Sequence, residues 1–287
     1  MKLYTIVTGQ AEEVAAEGAG GKLYTLKQLG FTVKDMNELI DRWEEVRESL
    51  ASKLQSAAQQ DACTDYQIIA PIPSPRQDVI CLGVNYRDHM EETVKAIDFT
   101  KKAATVYFSK RVSRANAPGG VIPTYDFVDS LDYEVELGVI LKKDAFGVRV
   151  EDAGDYIFGY TVINDVSARN VQKMHQQWYR GKSLDGYTPM GPCIVTADEI
   201  GDAHDLRITC AVNGELRQDG NTAYMITSVE EAISELSCGM TLKAASIIAT
   251  GTPGGVAMGM ETPVYLKKGD VVRCEIANIG VLENTIG

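Results

Sequence analysis

Residues 132–141 read DYEVELGVIL. From Tyr133 onward this apolar run has the length and the boundaries typical of a buried β-strand. Glu134 and Glu136 are two residues apart, so in a strand their side chains point to one face, roughly 6.5–7 Å apart along the backbone. Converging carboxylates attract a cation, and hard oxygen ligands favour Mg²⁺, Mn²⁺ or Ca²⁺ over zinc. From these residues alone, an exposed sheet face with solvated glutamates is the alternative.

The chain after residue 75 has the pattern of a β-rich domain. Short apolar runs of strand length alternate with residues that favour turns. Besides the run at 133–141, strands are predicted at 79–84, 105–108, 158–163, 193–195, 206–212, 246–250 and 271–276. Within this part, helical periodicity is clearest at 228–237. The sequence therefore predicts an α+β fold, rich in β-structure, for residues 76–287.

A proline-rich segment precedes this domain. Residues 70–75 read APIPSP, and each proline removes a backbone donor and disfavours helix at the residue before it. We place a domain boundary there, which leaves a small N-terminal domain at residues 1–75. Two alternating runs at 3–7 and 22–26 predict paired strands. One amphipathic helix is predicted over residues 36–54, with Asp35 as its N-cap.

Composition and charge exclude several classes of function. The chain has 287 residues and a formal net charge of −12, and the absence of a Lys/Arg cluster argues against binding to a nucleic-acid backbone. No apolar run approaches the ~20 residues of a membrane span, and the N-terminal sequence has no signal-peptide pattern. We therefore expect a cytoplasmic protein without nucleic-acid or membrane partners.

A third carboxylate follows another predicted strand. Asp165 ends the run YTVIND at 160–165, where it is either a ligand at the carboxyl end of a strand or the N-cap of the next helix. On that helix, Arg169 and Gln172 share a face with Asp165. One acidic and two hydrogen-bonding side chains therefore point together. A capped helix with an exposed arginine explains the same residues equally well.

His89 has a carboxylate at helical spacing. It lies three residues before Glu92 in NYRDHMEE, residues 85–92. On a helix, Glu92 can orient the imidazole and raise its basicity, as a general base for water requires. GKS at 181–183 and GTPGG at 251–255 do not complete a nucleotide-binding motif.

Taken in order, several segments resemble the fumarylacetoacetate hydrolase superfamily. The matching segments are GVNYRDHMEE (83–92), DYEVELGV (132–139), NDVSARNVQ (164–172), GKSLDGYTPMGP (181–192), ATGTPGG (249–255) and KKGDVVRCEIANIGVLENTI (267–286). The resemblance implies a rolled, mixed β-structure for residues 76–287 after a small, variable N-terminal domain. It also implies a homodimer.

The resemblance implies a metal centre and a catalytic dyad. The metal ligands match Glu134, Glu136 and Asp165. The implied cofactor is Mg²⁺ or Mn²⁺, with Ca²⁺ as an occupant in crystals. The dyad on a lid over the site matches His89 and Glu92.

The resemblance further implies which residues bind a small oxo-acid substrate. The positions that contact its carboxylate and keto oxygens match Arg169, Gln172, Lys182 and Thr252. Lys182 is also implied to be catalytic. The aromatic residues that are candidates for substrate specificity are Trp178, Tyr179 and Tyr187.

These implied roles predict a metal-dependent hydrolase. It would cleave a C–C bond in a 2,4-diketo acid, such as an acylpyruvate or fumarylpyruvate, to a 2-oxo acid and a carboxylic acid. In this hypothesis the metal stabilises an enolate. His89, oriented by Glu92, takes a proton from the attacking water, while Arg169 and Lys182 compensate the substrate's charge. A helical lid over residues 85–100 is expected to close on ligand binding.

The same residues are compatible with other functions. Decarboxylation of oxaloacetate uses the same enolate without water. Tautomerisation or isomerisation of a hydroxydienedioate, such as 2-hydroxyhepta-2,4-diene-1,7-dioate, only moves protons. The alternative from another class is a non-catalytic protein that binds a metal or an oxo acid.

Overall fold

The computed structural model describes residues 1–90, 92 and 104–287. Its strands are β1 (Lys2–Thr8), β2 (Ala11–Glu17), β3 (Leu23–Thr25), β4 (Gln67–Ile69), β5 (Val79–Gly83), β6 (Val106–Lys110), β7 (Val121–Ile122), β8 (Leu131–Asp132), β9 (Val135–Leu141), β10 (Ile157–Asn164), β11 (Ser167–Ala168), β12 (Met190–Thr196), β13 (Arg207–Val212), β14 (Glu215–Asn221), β15 (Ile247–Ala249), β16 (Val271–Ile276) and β17 (Gly280–Ile286). The helices with both ends in these ranges are α1 (Met36–Asp41), α2 (Trp43–Ser56), α3 (Arg169–Met174), α4 (Tyr179–Lys182), α5 (Ala197–Ile200) and α6 (Val229–Ser237). The predicted β-rich α+β fold is confirmed. In the described part of the chain, no helix has the length and apolarity needed to cross a bilayer.

The largest sheet carries the centre of the fold. Its strand order is β3-β2-β1-β12-β10-β9-β15-β5-β6, and β4 also pairs with β1. The pairs are antiparallel except for β15 with β5. All residues of β9 and β10 are buried, which explains why both strands are almost continuously apolar. They form a rigid support for the polar residues at their ends.

A second sheet packs against this centre. Its order is β14-β13-β16-β17-β7, and a two-stranded sheet pairs β8 with β11. The strand predictions after residue 75 are confirmed. Strand β14 has no alternating apolar pattern, since its sequence ELRQDGN is largely polar and only Gln218 is buried. It was therefore not predicted.

The first strands of the chain extend the large sheet. Strand β1 pairs with β12, and Leu3 lies opposite Ile194. The prediction that the runs at 3–7 and 22–26 pair with each other is wrong, because β2 lies between β1 and β3 and pairs with both. Residues before and after position 75 thus share a sheet. Whether 1–75 folds as a domain by itself stays a prediction.

The predicted single helix is divided into α1 and α2. Arg42 leaves the helical conformation, with φ −104° and ψ 12°. Its guanidinium donates to the carbonyl of Thr32 at 2.8 Å. The predicted N-cap is confirmed, because Asp35 accepts a hydrogen bond from the backbone N–H of Glu38 at 2.9 Å. The apolar face still packs as one surface on the sheet.

We expect Trp43→Ala to destabilise the whole protein by about 3 kcal/mol, because it leaves a cavity at the junction of α2 and the sheet. Trp43 is buried and meets Phe158 of β10 edge-on, with ring centroids 5.1 Å apart. Urea unfolding monitored by circular dichroism measures the change. Phe146→Ala is the control, since Phe146 is 66 % exposed. If both substitutions lowered the free energy of unfolding equally, α2 and the sheet would not share a core.

Candidate active site

Three carboxylates meet where β9 begins and β10 ends. Glu136 lies in β9 opposite Ile163 of β10. Glu134 lies just before β9, and its carbonyl accepts a hydrogen bond from the N–H of Asp165 at 2.8 Å. Glu134, Glu136 and Asp165 are buried and offer oxygens within 4.8 Å of one another. Antiparallel pairing therefore brings together the three residues that the sequence predicts as metal ligands.

Helix α3 does not begin at Asp165. Its N-cap is Ala168, and no side chain caps it. The N-cap alternative for Asp165 is therefore wrong, and the carboxylate points to the other acids. Arg169 and Gln172 do share a face, because Arg169 Nη1 donates to Gln172 Oε1 at 3.0 Å.

Two buried cations compensate the carboxylates. Lys182 Nζ donates to Glu134 Oε2 and to Asp165 Oδ2, both at 2.6 Å. Arg169 donates to Glu134 Oε1 through Nη2 and to Asp132 Oδ2 through Nε at 2.8 Å. Charge-assisted hydrogen bonds of this kind are stronger than neutral ones. Helices α3 and α4 thus bring positive charge to the acidic end of the sheet.

The two buried cations affect the pKa values of Glu134 and Glu136 differently. Burial alone would raise the pKa of Glu134, but the adjacent charges of Arg169 and Lys182 hold its pKa well below the usual range. Burial, together with the carboxylates of Asp165 and Glu134, raises the pKa of Glu136 well above the usual range. The N–H of Gly251 donates to Glu136 Oε2 at 2.9 Å. Glu136 thus lies in an environment with an excess of negative charge.

The excess of negative charge around Glu136 favours the binding of a divalent cation. The donor set consists of carboxylate oxygens, which are the ligands that Mg²⁺ and Mn²⁺ prefer in proteins. A bound ion would stabilise the ionised form of Glu136, which burial and its neighbours otherwise disfavour. The residues present therefore suit the cofactor that the sequence predicts.

Two further polar side chains beside the site, Lys110 and Asp132, are not predicted by the sequence. Lys110 is fully buried and donates to Asp165, and to the carbonyl of Tyr187 at 2.7 Å. Asp132 accepts the N–H groups of Ala257 and Met258 at 2.9 and 3.0 Å, in addition to Arg169. Both contacts join distant parts of the chain. No local pattern signals them, although Asp132 adjoins the predicted strand.

Two amides complete the support around the site. Asn164 Oδ1 accepts the N–H of Glu134 at 3.0 Å. Gln218 Nε2 donates to Thr252 Oγ1 at 2.7 Å, and its Oε1 accepts the N–H of Val135 at 3.1 Å. Asn164 precedes Asp165 at a strand end, which is a usable sequence signal. Gln218 lies in the polar strand β14 and has none.

His89 and Glu92 lie close together but are not hydrogen-bonded. The distance from His89 Nδ1 to Glu92 Oε2 is 3.8 Å. His89 is buried, and within the described residues Nδ1 has no hydrogen-bond partner. Both Glu92 oxygens accept the N–H of Gly255, at 2.9 and 3.0 Å. The predicted lid is described at 85–90 and 92, whereas residues 91 and 93–100 lie outside the described residues.

Most of the predicted site residues line one small cavity of about 20 Å³. Its lining includes the predicted residues His89, Glu134, Glu136, Arg169, Gln172, Lys182 and Thr252. Of the three aromatic candidates for specificity, Trp178 also lines it. Tyr179 is exposed, and Tyr187 is fully buried against Tyr125. The structure therefore brings a general-base candidate, two cations and the carboxylate cluster to one point.

Residues 78–287 match the family described as fumarylacetoacetate hydrolase, C-terminal. The chain belongs to this family. A Bacillus subtilis protein named as an oxaloacetate tautomerase is 43 % identical over 225 residues, which cover 78 % of this chain and 74 % of the relative. Membership of this family therefore supports the prediction that the chain is an enzyme.

Solved structures of the family match the whole fold. A fumarylacetoacetate hydrolase from Exiguobacterium antarcticum has a TM-score of 0.83 at 37 % identity, with 100 % of this chain and 99 % of the other covered. A maleylpyruvate hydrolase from Sphingobium sp. SYK-6, in complex with manganese(II) and pyruvate, has a TM-score of 0.80 at 26 % identity, with 100 % and 98 % covered. The family therefore includes hydrolases as well as a tautomerase.

We expect substitutions at the two neighbouring glutamates to differ in their effect on stability. In EDTA, Glu134→Gln should destabilise the protein by about 3 kcal/mol, because it removes a buried partner of Arg169 and Lys182. Glu136→Gln should preserve or raise stability, because it removes a charge that burial disfavours. Urea unfolding in EDTA measures both.

Measurements with added Mn²⁺ distinguish this electrostatic effect on stability from the effect of metal binding. Added Mn²⁺ should raise the melting temperature of the wild type, because a ligand of the folded state stabilises it. Glu134→Gln and Glu136→Gln should both lose most of this increase. If Glu136→Gln retains the full increase, Glu136 is not a metal ligand.

Proposed function

We propose that this chain is a divalent-metal-dependent enzyme that interconverts the keto and enol forms of oxaloacetate. The observation that carries the proposal is the convergence of cations, carboxylates and an imidazole on one small cavity, which is lined by His89, Glu134, Glu136, Arg169 and Lys182. Tautomerisation needs a bound 2-oxo acid and proton transfer, without an attacking water. The 43 % identity to the Bacillus subtilis oxaloacetate tautomerase supports this reaction.

The proposed metal ligands are Glu134, Glu136 and Asp165. When bound, the metal supplies Lewis-acid polarisation of the carboxylate and keto oxygens, which acidifies the adjacent C–H group. Arg169 and Lys182 attract the anionic substrate. Because both are already hydrogen-bonded to carboxylates, their positions are set before the substrate binds.

His89 is the proposed proton carrier. Its imidazole lines the cavity, and Nδ1 has no partner among the described residues. In our proposal, His89 takes the proton from C3 of the keto form and returns it to the enolate oxygen, which gives the enol and restores the neutral imidazole. Two of the three N–H groups of Lys182 donate to Glu134 and Asp165, and in our proposal the third donates a hydrogen bond to that oxygen.

Hydrolysis of a 2,4-diketo acid is the second candidate. Glu92 lies 3.8 Å from His89, and a small movement would let it orient the imidazole toward water. The similarity to the hydrolases from Exiguobacterium antarcticum and Sphingobium also favours it. The substrate and products would be those predicted from the sequence. We also propose that the protein is a homodimer in the cytoplasm.

Parallel assays distinguish the candidates. With Mg²⁺ or Mn²⁺, we would follow loss of the oxaloacetate enol absorbance, loss of the diketone absorbance of acetylpyruvate and fumarylpyruvate, and release of CO₂ from oxaloacetate. Faster enol loss without CO₂ supports the tautomerase. Diketone loss with pyruvate formation supports the hydrolase, and CO₂ release would replace both with a decarboxylase. Glu134→Ala is the inactive control.

We expect His89→Asn to lower kcat for the tautomerisation at least ~100-fold, because it removes the proton carrier. The increase in melting temperature with Mn²⁺ should persist, since His89 is not among the proposed metal ligands. His204→Asn is the matched control, because His204 binds Glu230 on another surface. A His89→Asn enzyme with wild-type kcat would exclude the proposed role.

A further inference from the structure

Asp132 is completely buried and accepts four hydrogen bonds. Its Oδ1 atom accepts the N–H groups of Tyr133 and Ala257, both at 2.9 Å. Its Oδ2 atom accepts the N–H of Met258 at 3.0 Å and the Nε–H of Arg169 at 2.8 Å. A buried carboxylate is stable when donors surround it in this way, and the bond from the charged donor is the strongest. Asp132 thus uses the four acceptor positions of its carboxylate.

These hydrogen bonds join two parts of the cavity wall. Arg169 and Met258 both line the active-site cavity, whereas the lining formed by the described residues does not include Asp132. The two lining residues are far apart in the chain and both donate to the same oxygen of Asp132. Asp132 therefore acts on the cavity through its neighbours, by setting where Arg169 lies relative to Met258.

The guanidinium of Arg169 is held at each of its three nitrogens. Nε donates to Asp132, Nη1 donates to Gln172 at 3.0 Å, and Nη2 donates to Glu134. A guanidinium is planar and has five N–H donors, so these contacts fix its plane and leave two N–H groups over. The direction of these two N–H groups is therefore set by the protein. They are the groups that Arg169 has to offer to an anionic ligand.

The segment 255–258, on the other side of Asp132, also holds Glu92. The N–H of Gly255 donates to both carboxylate oxygens of Glu92, at 2.9 and 3.0 Å. The carbonyl of Gly255 accepts the O–H of Tyr133 at 3.0 Å. The backbone that Asp132 anchors therefore continues directly into the N–H group that binds Glu92.

We propose that Asp132 is a positioning residue of the active site. It holds the guanidinium of Arg169 at a fixed distance and angle from the segment 255–258, so that two N–H groups of Arg169 point at the substrate's carboxylate before the substrate binds. Donors that are already in place bind an anion more tightly, because they need no reorganisation. This inference rests on the proposed function, in which Arg169 attracts the anionic substrate.

Asp132→Asn tests the proposal with little change in volume. The amide has one oxygen, so its nitrogen faces two N–H donors in either orientation, and one pair of hydrogen bonds is lost. The probe is oxalate, which resembles the planar enolate of a 2-oxo acid, and its dissociation constant is measured calorimetrically with Mn²⁺ present. Asp219→Asn is the matched control, because Asp219 accepts from Nε and Nη2 of Arg207 at 2.8 and 2.9 Å on an exposed surface.

We expect Asp132→Asn to weaken the binding of oxalate about tenfold, because Arg169 loses its fixed direction. Asp219→Asn should bind oxalate as the wild type does. The increase in melting temperature with Mn²⁺ should persist in Asp132→Asn, since Asp132 is not among the proposed metal ligands. Hydrogen exchange in the segment 255–258 should become faster, because two of its N–H groups donate to Asp132.

A double-mutant cycle with Arg169→Lys distinguishes positioning from general support of the fold. Lysine keeps the positive charge but has no Nε–H group to donate to Asp132. In the Arg169→Lys background, Asp132→Asn should weaken oxalate binding no further, because the two residues act as a unit. If the two losses of affinity multiply instead, Asp132 does not act through Arg169 and the proposal is wrong.

The wild type provides a second test if Asp132→Asn does not fold, as judged by circular dichroism. The Nε–H signal of Arg169 in the NMR spectrum is assigned by its loss in Arg169→Lys. It should exchange slowly with water and keep its chemical shift when Mg²⁺ and oxalate are added. Fast exchange, or a large change in shift, would contradict the proposal, since Nε would then have left Asp132.

Two negative results have different meanings. If the wild type does not bind oxalate with Mn²⁺ present, the proposed function of the site is wrong and the inference falls with it. If the wild type binds oxalate and a folded Asp132→Asn variant binds it equally well, the proposed function stands and Asp132 does not position Arg169.

Discussion

The need to compensate buried charge governs the site. Glu134, Glu136 and Asp165 lie in an interior where an isolated carboxylate is costly. Lys182 and Arg169 pair with Glu134, and Lys110 pairs with Asp165. Glu136 receives a backbone N–H but no cation in the described residues. The cluster is thus stable enough to persist in the folded chain and still acidic enough to attract a metal ion.

The sheet turns this electrostatic requirement into a defined geometry. Strands β9 and β10 are buried along their length, so their ends have little freedom to move. The pairing of β8 with β11 places Asp132 opposite Ser167, two residues before Arg169. Arg169 of α3 and Lys182 of α4 reach the carboxylates from these fixed positions. Precise placement of this kind supports enzymes that stabilise developing charge.

Local sequence patterns predict those features of the site that depend on residues close together in the chain. The spacing of Glu134 and Glu136 showed that they share a face, and the strand before Asp165 placed it at a strand end. Lys110 could not be predicted, because its contact with Asp165 spans 55 residues and depends on the packing of β6. The break between α1 and α2 lies at Arg42, whose side chain contacts the carbonyl of Thr32 outside the helix, and helical periodicity does not show such a contact. Reaction type depends on small differences around a shared site, which spacing does not encode.

The N-terminal strands also have a consequence for the behaviour of the chain in solution. Strand β1 occupies the edge of β12, which would otherwise present free N–H and C=O groups. Unpaired edges of this kind are templates for association with other chains. The first residues thereby protect the catalytic sheet against aggregation. The free edge of the sheet on this side is then β3, a strand of three residues. A short outer strand offers few groups for a foreign strand to join.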